Sequence, residues 1–96
     1  MAQIIIEKRR FAVLRHLYDT TGRELAPSIL KAGCRAQGLP TDDDEMATAL
    51  AWLEAQGLVT VSDLGPVKTA RLKPAGIDVV MGHSEVAGIL PFGDLV

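Results

Sequence analysis

The chain has 96 residues, enough for one hydrophobic core and too few for two, so a single domain spanning 1–96 is expected. Hydrophobic residues make up 48% of it and aromatic ones only 4%, which argues against disorder and asks for a core of aliphatic side chains. A net charge of −2 excludes a general attraction for nucleic acid, yet the charge is uneven: residues 1–40 hold seven Lys and Arg against three acids (net +4), residues 41–96 three against nine (net −6).

The apolar run Ile4–Ile6 ahead of Lys8, Arg9 and Arg10 is too short for a signal peptide or a membrane span, so a cytoplasmic protein is expected. The lone Cys34 excludes an internal disulfide and fits a reducing compartment. From about Glu7 to Asp19, Phe11, Leu14, Leu17 and Tyr18 fall on one helical face, with Lys8, Arg9, Arg15 and His16 mostly on others. Thr20-Thr21-Gly22-Arg23 breaks that pattern. Pro27 then suits the first position of a second helix, which runs to about Gln37 before Gly38. Ile29, Leu30 and Cys34 are expected to face inward, and Lys31 and Arg35 to share an outer face. Gly33 inside that helix costs up to about 1 kcal/mol relative to alanine and predicts another helix passing close by.

The third helix is marked at both ends. Thr41 or Asp42 supplies a cap, and the acidic run Asp42 to Glu45 lies where the helix dipole favours negative charge. Gly57 can take the left-handed conformation that stops a helix near Gln56, with Leu58 folding back over the last turn. Met46, Ala49, Leu50 and Leu53 form the buried stripe, with Trp52 beside it. Leu58–Val61 and Val67–Leu72 read as strands joined by a turn at Asp63–Pro66. Pro74 opens a short fourth helix that ends before Gly82, and His83–Val96 is apolar without a period.

A short helix, a tight turn, a longer amphipathic helix and a hairpin predict an α+β, mainly helical winged helix-turn-helix, with three helices, a β-hairpin wing and a short C-terminal helix. The run Leu50-Ala51-Trp52-Leu53-Glu54-Ala55-Gln56-Gly57-Leu58-Val59, then Ala70 to Val79, then Gly82, Gly88 and Pro91, resembles a family of small proteins of Mu-like transposable phages. These are similar to ArsR-type or MarR-type transcriptional regulators. The resemblance covers nearly the whole chain and implies a winged-helix DNA-binding protein or regulator; where the usual pattern has threonine capping the helix after the wing, this chain has Lys73.

Few kinds of chemistry fit these residues. The acidic run lacks the spacing and glycine of a calcium loop, and Cys34, His16 and His83 are too scattered for a thiolate metal site, so no metal or other cofactor is expected. Neither a nucleophile with its base nor a glycine-rich phosphate loop is visible, and an enzyme is not expected. DNA is the first candidate partner. Between Thr41 and Ala55, however, the reading helix has no Arg, Lys, Asn or Gln, the usual tools for base edges. Contact would therefore fall to the backbone of double-stranded DNA, through Lys31 and Arg35 on the second helix and Lys68 and Arg71 in the wing. The alternative is a winged-helix module that binds a phage or host protein without reading DNA. The apolar tail also predicts a homodimer through helix one and the C-terminal segment, with packing of the tail on its own domain as the rival.

Overall fold

The computed structural model describes residues 2–63 and 67–91. Seven elements follow in order: α1 (Ala2–Asp19), β1 (Glu24–Leu25), α2 (Pro27–Ala36), α3 (Asp43–Ala55), β2 (Val59–Ser62), β3 (Thr69–Leu72) and α4 (Pro74–Val80). The strands form one antiparallel sheet in the order β1-β3-β2, so the described residues make a mainly helical α+β domain.

Helix α1 begins five residues before the expected start at Glu7, because Ile5 packs against the core and Gln3 reaches Glu7 one turn on at 2.7 Å. Its inner face is Phe11, Ala12, Val13, Leu14 and Leu17. Arg9, expected outside with the other bases, is buried instead. Its Nε donates to Thr41 Oγ1 at 3.0 Å, its Nη2 donates to the Pro40 carbonyl, and Glu45 stands 3.7 Å away. Thr41 Oγ1 in turn donates to the Leu39 carbonyl at 2.9 Å. A guanidinium thus holds the α2–α3 corner onto α1, and burial is tolerable because its charge meets acceptors.

Helix α2 starts on Pro27 without a side-chain cap and buries Leu30 and Cys34. Ile29 is a correction to the sequence reading: it is 55% exposed, one position off the inward face. Gly33 does face a neighbouring helix, since a Cβ there would lie 2.8 Å from Nε2 of His16 on α1. Helix α3 is closed by a capping box, with Glu45 N–H donating to Asp42 Oδ1 at 2.7 Å and Asp42 N–H to Glu45 Oε1 at 2.9 Å. It stops at Gly57, whose φ of +76° lets Leu58 N–H return to the Leu53 carbonyl at 3.0 Å. Met46, Ala49, Leu50 and Leu53 are all buried, as their spacing predicts.

Strand β1 was not expected. It pairs Glu24 with Arg71 and Leu25 with Ala70, while β2 and β3 pair Val59 with Leu72 through Ser62 with Thr69. The turn expected at Asp63–Pro66 lies largely outside the described residues. Helix α4 docks on the hairpin at Gly76, where an added Cβ would come 2.5 Å from the Leu58 carbonyl oxygen. Beyond it, residues 83–91 return to α1: Leu90 N–H donates to the Glu7 carbonyl at 3.3 Å and Arg10 Nη1 to the Gly88 carbonyl at 2.8 Å. Arg10 also lies 4.0 Å over the Trp52 ring, and Ile89 joins the core. This much of the apolar tail therefore packs on its own domain; Phe92, Leu95 and Val96 lie outside the described residues. No helix among the described residues is long and apolar enough to cross a membrane.

Candidate functional site

Three of the four bases expected to meet phosphate are held by carboxylates. Lys31 Nζ sits 2.7 Å from Asp43 Oδ1, Lys68 Nζ 3.7 Å from Asp63 and Arg71 Nη2 3.1 Å from Glu24. Arg35 is exposed near the end of α2. Lys31 is paired at the start of α3, Lys68 pairs with Asp63 in the hairpin, and Arg71 stands on the solvent side of the sheet beside Thr69 and Glu24.

The electrostatics follow from these pairs. Asp43 is held below the usual aspartate range, first by the hydrogen bond from Lys31, then by the charges of Lys31 and Arg35. Glu24 is likewise held low, chiefly by the Thr69 hydroxyl and then by Arg71. Both cations thereby lose much of the field they could offer to phosphate.

The exposed face of α3 carries Asp43, Asp44, Ala47, Thr48, Ala51, Glu54 and Ala55. Alongside it, between α3, the start of α2 and the hairpin, runs a groove of about 360 Å³. Its walls are apolar at Met46, Ala47, Leu50, Ala51 and Val61, and acidic at Asp43, Glu54 and Asp63, with Lys68 its one base among the described residues. Glu54 also accepts the Val61 N–H at 2.9 Å, which ties the helix to the edge of the sheet. Sequence reasoning missed this groove. The available signal is the pair Ala47 and Ala51, four apart and flanking the buried stripe, which leaves a smooth strip beside Met46 and Leu50.

The other residues considered for chemistry take structural places. Cys34 is fully buried, and burial pushes its thiol above the usual range. His16 packs over Gly33 and reaches Gln37 at 3.0 Å, and His83 is exposed near Asp78. Within the acidic run, Asp42 and Glu45 form the capping box and Asp43 pairs with Lys31. Among the described residues no three His, Cys, Asp or Glu side chains gather as metal ligands. A wider groove of about 790 Å³ lies between α1, the end of α4 and the 84–91 segment, lined by Phe11, Arg15, Val79, Met81, Glu85 and Ile89 among others.

The arrangement defines a small α+β protein with an acidic, partly apolar helix face. No family model matches the chain. It is 36% identical over 86 residues to the uncharacterized protein gp26 of Escherichia phage Mu, a match covering 90% of this chain and 88% of that protein. The chain therefore belongs to the family of that Mu phage protein.

Proposed function

We propose that this phage protein is a winged helix-turn-helix domain working as a protein-interaction module, with α2 and α3 as the helix-turn-helix and β2–β3 as the wing. The element order from α1 to α4 supports the fold, including the short β1 that pairs with the returning wing strand. One observation carries the function: the exposed face of the helix that would read bases holds carboxylates, methyl groups and the single hydroxyl of Thr48, with no Arg, Lys, Asn or Gln. In a major groove those carboxylates would meet phosphate, where repulsion replaces counterion release. The test is a titration of labelled duplexes at several salt concentrations, with no binding expected near physiological ionic strength. Tight, sequence-selective binding that Asp43→Asn with Asp44→Asn abolishes would overturn the reading.

A second reading has support in Arg35, exposed on the first helix of the helix-turn-helix, and in the fold's common use on DNA. In it the protein is a regulator-like DNA-binding protein holding duplex backbone weakly through Lys31, Arg35, Lys68 and Arg71. Binding would then be steeply salt-dependent. Lys68→Ala or Arg71→Ala would lower the salt slope by about one each, and the double Asp43 and Asp44 change would strengthen binding. In either reading we propose a homodimer in the cytoplasm, formed on the α1–α4 groove, whose lining holds Glu85 and Arg15, the latter paired with Asp19 of its own copy at 3.1 Å.

A further inference from the structure

Resting on the interaction reading, we propose that the groove between α3 and the hairpin receives a basic helical segment of a partner protein, anchored by an aliphatic side chain. Ala47 and Ala51 lie four apart on the exposed side of α3, so only methyl groups separate an incoming backbone from the helix. Val61 closes the far wall with an apolar surface that a leucine or isoleucine can cover.

Charge complementarity selects the rest of the partner. Asp43 engages Lys31 through Oδ1, Glu54 engages the Val61 amide through Oε2, and Asp63 faces Lys68 through Oδ1. Each carboxylate has a second oxygen, and the Asp43 and Asp63 side chains are 85% and 78% exposed. Lysine or arginine heads flanking the anchor can share these carboxylates through their second oxygens, whereas a phosphate would meet only one base among the described residues of the groove, Lys68, already paired with Asp63. The partner's segment is a helix because strand addition on β2 would forfeit a ladder bond. Strand β2 is at the edge of the sheet, and the Val61 N–H, which points away from β3, is already taken by Glu54.

The experiment selects a display library of helical peptides with randomised faces on the intact protein, and repeats the selection on Ala51→Arg. Ala51 is exposed, so the variant keeps the core, and it places a cation in the groove. The expected winners carry Lys or Arg around one aliphatic residue. They bind Ala51→Arg at least about tenfold more weakly and shift the amide resonances of Ala47, Glu54 and Val61. Acidic winners, winners that bind the variant equally, shifts confined to the α1–α4 groove, or no enrichment would overturn the proposal while leaving the interaction reading in place. Tight binding of a labelled duplex in a parallel titration, with shifts along α3, would instead overturn the interaction reading itself.

Discussion

Arg9 has the chemistry of a surface residue and the burial of a core one, with 4% of its surface exposed and its nearest polar partners 31 and 32 positions away. Arg9→Met keeps most of the stem but leaves Thr41 Oγ1 and the Pro40 carbonyl without their donor. A loss of about 2–4 kcal/mol in urea denaturation is expected, and one below about 0.5 kcal/mol would mean that water replaces the guanidinium freely. None of this is legible in sequence, where Arg9 is the middle of a basic run Lys8-Arg9-Arg10 and nothing local distinguishes it. The pairing of the candidate phosphate contacts is hidden for the same reason, since Arg71 meets Glu24 from 47 residues away. Asp43 offers a titration test. Its folded pKa is depressed, so its favourable pairing is fully present above the unfolded value and is lost as pH falls through the folded one. Lys31→Met should move the Asp43 carboxyl resonance titration upward toward the ordinary aspartate range. An unmoved midpoint would remove Lys31 as the cause.

At the scale of elements, α3 was the most legible because its cap, stripe and stop are all written in adjacent residues. Leu53 is fully buried at the centre of that stripe, and Leu53→Ala should cost about 2–5 kcal/mol in chemical denaturation. Strand β1 was illegible because two residues carry no period; its place comes from β3 and from the Leu72 N–H, which donates to the Arg23 carbonyl at 2.9 Å. The start of α1 was missed because Ile4–Ile6 shows neither cap nor alternation, and only contact with the core orders Ile5. Gly76 tests how α4 meets the hairpin. Gly76→Ala would drive a methyl group onto the Leu58 carbonyl, and a loss of about 1–3 kcal/mol is expected despite the better helix propensity of alanine.

For the whole molecule, assembly turns on whether the α1–α4 groove faces another copy. If it does, sedimentation equilibrium of the intact protein should show a dimer, and Met81→Asp should yield a folded monomer with an unchanged circular dichroism spectrum, because Met81 is half exposed. Arg15→Glu and Glu85→Arg should each weaken the dimer, and mixing the two variants should restore a heterodimer. A monomeric intact protein at high concentration would end the idea.

The chain's single thiol lies in the middle of this architecture, fully buried on α2. Arg9 and Thr41 act on it from the same corner that Arg9 clamps, each lowering its proton affinity against the larger effect of burial. A soluble disulfide reagent can reach Cys34 only when the packing around α2 opens, so its labelling rate measures how often the closed molecule opens. Without any engineered probe, the native chain thus carries a clock for its own breathing. Arg9→Met should make that clock run faster, even under conditions where the circular dichroism spectrum is unchanged.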